Sequence, residues 1–354
     1  MKVLTKYISK QITALFLLCN FILVMLYLVI DFVRKIDNFA GASVPLSLTL
    51  LFFLYKIPIM LMEIIPAATM ISIIAVICQM KKNKEVMAMK ACGLNLHKVF
   101  LPVVAFSIII YMFSLFLSEM IVPYTSTRSN EIKEIEVKKR PQASFQEWYK
   151  SKNNIYWIKH FDIESKTIYD PVFYFLNDQF ILTKKINGTS CKWLDGVWEI
   201  ENAKILTLEK NNTYSTVRRP RLPLNIPETP ETFITKMRKP EDRTFRELKK
   251  HAKKVKEEGY DNTSDLVYLY LKLSYPFMCV VLALIAVPLG LWKKVSGIPL
   301  SVTLGILTFF ILLMLTGYAR AFGLAGKLPP ILAAWAANVL FLFLGTYLFM
   351  NIKK

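Results

Sequence analysis

Lys81-Lys82-Asn83-Lys84-Glu85-Val86-Met87-Ala88-Met89-Lys90-Ala91-Cys92-Gly93-Leu94-Asn95 forms a short polar island between two long apolar runs. Asn83 can cap a helix start, the interior residues are mostly good helix formers, and Gly93 supplies a left-handed stop, after which Asn95 can cap the next helix. A plain turn between two membrane helices needs only a few polar residues. The island therefore predicts a separate helix lying at the membrane surface, a coupling helix that offers a soluble partner a handle. The bland alternative is a basic connector that only sets topology.

The composition frames this island. The chain has 354 residues, 54% of them hydrophobic, and a formal charge of +19. Its apolar residues are clustered into runs, which marks a polytopic membrane protein. In a soluble protein such a basic balance would suggest nucleic acid. Here Lys and Arg crowd the ends of the apolar runs, where they meet anionic membrane lipid and set orientation, so nucleic-acid binding is the weaker reading. Cys19, Cys78 and Cys279 lie in apolar runs, Cys92 ends the island and Cys191 stands alone in the polar middle, so no disulfide framework is available. His97, His160 and His251 are too scattered for a metal site. The first apolar run follows Lys2, Lys6 and Lys10, continues for a full membrane thickness and lacks a small-residue cleavage pattern, so it reads as a retained span.

Six spans are expected, at about residues 12–33, 48–79, 96–122, 266–291, 298–318 and 331–350. The second exceeds one crossing and contains Pro58 and Pro66, which predicts a tilted or kinked helix. Between spans three and four the texture changes. Asn154-Ile155-Tyr156-Trp157-Ile158-Lys159, Pro171-Val172-Phe173-Tyr174-Phe175-Leu176, Gln179-Phe180-Ile181-Leu182-Thr183 and Val197-Trp198-Glu199-Ile200 alternate between Asn, Asp and Gly turns. That spacing predicts an inserted all-β sandwich or jelly-roll-like domain. Prolines thicken between Pro220 and Pro240, as in an extended linker. Thr244-Phe245-Arg246-Glu247 is a capping box, with Phe245, Leu248, Ala252 and Val255 on one stripe and Gly259 as the stop, which predicts an amphipathic helix returning to the membrane. The division is 1–123 (spans one to three, with the island helix at 83–93), 124–243 (β domain and linker) and 244–354 (connecting helix and spans four to six). With six spans, Lys2, Lys6, Lys10, the island lysines, Lys293, Lys294, Lys353 and Lys354 fall on one side, the cytoplasm by the positive-inside rule, together with both termini.

Three groups of residues, in this order, carry a resemblance: Tyr7-Ile8 with Asp31-Phe32-Val33; Glu85-Val86-Met87-Ala88-Met89-Lys90-Ala91-Cys92-Gly93; and Glu247-Leu248 through Gly259 with Ala286-Val287-Pro288-Leu289-Gly290 and Leu328-Pro329-Pro330-Ile331-Leu332-Ala333-Ala334-Trp335. With the β insert between spans three and four, the whole chain resembles the LptF/LptG (YjgP/YjgQ) family, permease subunits of the lipopolysaccharide exporter of bacteria with two membranes. The Asp-Phe-Val exit and the overall length are more similar to LptG than to LptF, and an LptF-like partner subunit is the alternative. One departure concerns span one: where the LptG pattern has a late lysine, this chain has Asp31, with Arg34 and Lys35 one helical turn on. The resemblance implies a non-catalytic permease in the bacterial inner membrane, its β domain in the periplasm. It would pair with a second LptF/LptG-type permease and an LptB-like ATPase dimer, which would hold ATP and Mg, and LptC-like and LptA-like periplasmic β proteins would take over the lipid. No cofactor is expected in this chain, which lacks a Gly-x-x-x-x-Gly-Lys-Ser/Thr phosphate loop.

Glu85 is the first candidate site residue. A carboxylate in the first turn of a surface helix favours the dipole and can simply cap it. The resemblance implies a contact in the ATPase groove, with Met87, Ala88 and Ala91 as its apolar part, Lys84 and Lys90 at the rim and Gly93 setting the exit angle. The second candidate set is cationic: Arg34, Lys35, Arg128, Lys133 and Arg320 suit the phosphates of a glycolipid headgroup, against the bland reading of snorkelling anchors. Glu63 and Glu119 are intramembrane carboxylates that can pair with them. An acyl-chain cavity is expected among spans one, two and five, and the β domain is expected to meet the lipid at Trp157 or Phe175 and its partner modules along an open strand edge. Other classes stay open: a membrane-anchored envelope scaffold without energy coupling, and an ion-driven secondary transporter, which the intramembrane acids permit although no inverted repeat supports it. An intramembrane hydrolase has least support, for no His-Glu-x-x-His or nucleophile motif is present.

Overall fold

The computed structural model describes residues 2–42, 44–133, 147–151, 154–162, 165–177, 181–194, 196–208, 214–224, 226, 229–230, 240–257, 261–292 and 297–351. In chain order, span one is α1 (Lys2–Gly41) and span two is α2 (Leu46–Lys82), followed by the short connectors α3 (Glu85–Ala91) and α4 (Leu96–Val99). Span three is built from α5 (Leu101–Phe116), a π-helical turn (Leu117–Ile121) and α6 (Val122–Ile132). The β insert follows, then α7 (Phe245–Glu257) and the last three spans, α8 (Thr263–Leu291), α9 (Ile298–Leu324) and α10 (Pro330–Met350). Among the described residues, six helices are long and apolar enough to cross a membrane. The α1 helix has 40 residues and α2 has 37, about 55–60 Å of helix each, so both project beyond a hydrocarbon layer of about 30 Å. Pro58 and Pro66 lie inside the continuous α2.

Helices α2 and α8 form the centre of the bundle. Of their most apolar windows 61% and 67% are buried, against 17% for α1 and 22% for α9, which places α1 and α9 at the rim. Glycines let the central helices approach closely. A Cβ on Gly290 would lie 2.8 Å from Ile77 Cγ2, and one on Gly345 would lie 2.9 Å from Ile285 Cγ1. The Pro288-Leu289-Gly290 motif thus ends on a contact that only a missing side chain permits.

Among the described residues the insert has nine strands, β1 (Glu147–Ser151), β2 (Asn154–Ile158), β3 (His160–Asp162), β4 (Thr167–Tyr169), β5 (Val172–Leu176), β6 (Leu182–Asn187), β7 (Ser190–Leu194), β8 (Val197–Leu208) and β9 (Tyr214–Leu224). They pair antiparallel in the order β1-β2-β5-β6-β8-β7-β4-β3, with β9 on β8. Strands β2 and β3 are joined by Lys159 alone, yet stand second and eighth in that order. The sheet must therefore curl back on itself. It encloses Tyr156, Ile158, Phe161, Phe173, Ile186, Trp198 and Ile200, each 0% exposed, so the expected sandwich-like β insert between spans three and four is present.

Several local expectations change. The linker expected from Pro220 begins later, because Pro220 and Pro223 lie in β9, an edge strand where a missing N–H is tolerated. Span three does not start as one helix at residue 96: α4 stops at Val99 and α5 restarts at Leu101 with Pro102 in its first turn. At its far end the same span continues past residue 123 to Ile132. Asn83 does not cap α3. The preceding helix runs on to Lys82 with Asn83 as its own C-cap, so the chain reverses through a left-handed Lys84 at φ 60°. The expected strand residues Gln179 and Phe180, the helix stop Gly259, and Lys293, Lys294, Lys353 and Lys354 lie outside the described residues.

Candidate functional site

The α3 helix has two faces. Val86 and Met89, three residues apart, are buried in the core that also holds Ile8 and Ile12 of α1 and Leu96, Val99 and Phe100 at the start of span three. On the other face Lys84, Met87, Ala88, Lys90, Ala91 and Gly93 are exposed, Met87 by 70%. Glu85 lies between the faces. Tyr7 Oη donates to its carboxylate at 3.3 and 3.4 Å, and Asn83 Nδ2 donates at 3.1 Å. The helix closes with Leu94 N–H on Met89 O and Gly93 N–H on Lys90 O, both at 3.0 Å, with Gly93 at φ +71°. Seven residues are marginal as an isolated helix, so the buried anchors and this closure hold it.

At the opposite end of the bundle one carboxylate serves two cations. Asp31, 8% exposed, accepts from Lys35 Nζ at 2.7 Å and Lys56 Nζ at 2.6 Å. Lys35 also lies 5.6 Å from the centre of the Phe52 ring. Phe39, Phe52 and Phe53 form a small core against which Phe32 and Ile132 pack, so the end of α6, one residue before Lys133, reaches this corner. Two ammonium groups on one carboxylate leave net positive charge in a half-shielded, aromatic frame. Such a corner can accept a phosphate.

The other predicted cations do not share this corner as one cluster. Arg34 is exposed on α1. Arg128 donates to Glu131 at 2.9 Å and lies over Tyr124 at 5.8 Å. Arg320 donates to Tyr268 Oη at 3.0 Å and lies over that ring at 4.9 Å, which ties span five to span four. The acids have partners that the sequence did not suggest: Glu63 accepts from Tyr27 Oη at 3.0 Å, and Glu119 accepts the Phe245 N–H at 2.8 Å.

Beside this geometry stands one comparison with known families. The profile described as "Lipopolysaccharide export system permease LptF/LptG" matches residues 6–351, which covers all six spans, α3 and the β insert. The chain belongs to the LptF/LptG family. No curated protein matches it.

Two residues of this LptF/LptG-family chain escaped sequence reasoning. Lys56 completes the Asp31 trio, and the available signal was a lone lysine within an otherwise apolar run. Tyr7 was visible as a motif without a role, and its hydroxyl proves to join span one to α3. The apolar side chains of the rim helices also lie open: Leu17, Phe21 and Met25 on α1, and Leu307, Phe310 and Met314 on α9. In a membrane, such open apolar surface meets either lipid or another membrane helix.

Proposed function

We propose that this chain is the LptG-like transmembrane subunit of an ABC-type exporter that draws lipopolysaccharide out of the inner membrane. An LptB-like ATPase dimer, which carries ATP and Mg, docks on α3 from the cytoplasm. A second LptF/LptG-type permease faces the open α1 and α9 helices, and the lipid's acyl chains occupy the space between the two subunits. Lys35 and Lys56, with Lys133 beside them, meet its phosphates, and the periplasmic β insert passes it to LptC-like and LptA-like β proteins.

The two-faced α3 carries this reading. Its exposed side presents Met87, Ala88 and Ala91 to a partner, while Val86 and Met89 are set in the same core as α1 and the start of span three. Pressure on the outer face therefore reaches both spans, because close-packed side chains transmit displacement. A topological connector would need no such embedding. The test is Met87→Asp. At 70% exposure the substitution leaves the fold's stability within about 0.5 kcal/mol. It puts a charge in the centre of the apolar contact, so the ATPase recovered with the purified chain should fall at least tenfold. Recovery at the wild-type level would remove α3 from energy coupling.

A further inference from the structure

Span three is broken at one place, and the break is mended from outside the helix. Pro123 has no N–H, and the turn before it is π-helical, Leu117–Ile121, with the Val122 N–H on Leu117 O five residues back. The Ser118 carbonyl thereby loses its helical donors, because Val122 is committed to Leu117 and Pro123 has nothing to give. Ser118 is 4% exposed, so water is a poor substitute. Lys272 of α8 supplies the bond, with Nζ 3.1 Å from Ser118 O.

The same turn throws a side chain outward. Glu119 leaves the helix to accept the Phe245 N–H of α7, one of the first-turn donors that a helix cannot satisfy internally. Two further ties hold the segment that returns from the β insert. Asp242 accepts from Ser126 Oγ at 2.6 Å and from Asn130 Nδ2 at 3.1 Å, both on α6. Asp265 of α8 faces His251 Nδ1 at 2.7 Å and the Arg243 guanidinium at 3.6 Å. Both roots of the β insert, α6 leading in and α7 leading out, are thus bound to each other and to the π-helical turn.

We infer that this turn is a hinge through which span three passes motion between its α3 end and the β insert, with Lys272 and Glu119 as its positioning residues. Lys272 stabilises the break by replacing the missing backbone donor, and Glu119 makes α7 follow it. A plain helix would move as one rod. The extra residue per turn instead lets α6 rotate against α5 while Lys272 keeps the carbonyl satisfied. The purpose of the hinge rests on the energy-coupled permease proposed above; its geometry does not.

Hydrogen exchange on the full-length chain in lipid nanodiscs tests the geometry. Lys272→Met should raise exchange at least tenfold in residues 117–125 and in the first turn of α7, with α2 and β8 unchanged. Glu119→Ala should raise it in the α7 turn alone. Pro123→Ala gives residue 123 an N–H that can donate to Ser118 O, so residues 117–125 should stop responding to Lys272→Met. Wild-type exchange in α7 for both Lys272→Met and Glu119→Ala overturns the hinge. A second measurement, on the chain with its co-purified ATPase, tests the purpose: Lys272→Met should keep ATP hydrolysis within about twofold and lose lipid release at least tenfold. Unchanged release alongside raised exchange also overturns the inference, since the hinge would then transmit nothing. If the wild-type chain recovers no ATPase at all, the permease proposal fails, and the exchange results alone decide the hinge.

Discussion

Asp31 shows how much a single carboxylate can organise. Asp31→Asn would leave Lys35 and Lys56 facing each other without the charge that both share. The three side chains keep 10%, 26% and 21% of their surface, so the loss is smaller than for a fully buried pair, about 1–3 kcal/mol. That predicts a lower unfolding midpoint in detergent, and an unchanged midpoint would show that the trio does not stabilise the fold. The cysteines give a second prediction. Burial pushes the Cys191 thiol up to about 12, whereas Cys92 at the end of α3 is exposed. At neutral pH a maleimide should label Cys92 readily and Cys191 only after unfolding, and a docked ATPase should slow the Cys92 reaction. In the β insert, the hydrogen bonds from Ser190 and Lys192 hold the Glu201 carboxyl below its usual range. A depressed folded value means a contribution that is present above the unfolded value of about 4.3 and fades as pH falls through the folded one. In denaturant titrations followed by tryptophan fluorescence, the stability gap between wild type and Glu201→Gln should stand at neutral pH and close on acidification.

Elements depend on a few backbone positions. Gly93 sits at φ +71°, where a side chain is strained, so Gly93→Ala should destabilise the end of α3 by about 1 kcal/mol. The spans would stay intact, and the effect would be read as weaker ATPase retention at an unchanged melting temperature. Gly290 is different, because its neighbours are Ile77 Cγ2 at 2.8 Å and Ile77 Cβ at 2.9 Å from a built Cβ, and Cβ cannot swing aside. Gly290→Val should force α2 and α8 apart and lower stability by about 1–3 kcal/mol. It would also disturb the bond from Lys81 Nζ to Trp292 O, 2.8 Å long. Gly317, with nothing within 4 Å, supplies the control: Gly317→Ala should leave the thermal midpoint unchanged or raise it slightly.

For the whole molecule, orientation and lipid path are the quantities to measure. If α3 faces the cytoplasm and the β insert the periplasm, a membrane-impermeant maleimide should reach Cys92 and an introduced Asn154→Cys from opposite sides of a sealed vesicle. Labelling of both from one side would remove the six-span topology. Within the β insert, side chains alternate between faces, so the two positions that the sequence offered for lipid contact are not equivalent. Phe175 packs against the enclosed core while Trp157, between the buried Tyr156 and Ile158, points to the other face. A photo-crosslinker at residue 175 should capture the glycolipid and one at residue 157 should not, if the lipid follows the inside of the curled sheet.

What could be read along the chain was whatever a local period encodes. Runs of apolar residues specified six spans because a bilayer of about 30 Å demands that length. Two-residue alternation specified the β insert, and Gly93 marked the end of α3 because few other residues accept its backbone angle. Contacts between helices obey no such period, since they depend on which faces meet across the bundle. Lys56 joins Lys35 on Asp31 over 25 positions, Glu119 reaches Phe245 over 126, and Lys272 reaches Ser118 over 154. Packing chose those partners, because a buried carbonyl or charge is satisfied by whichever neighbour the fold brings within about 3 Å.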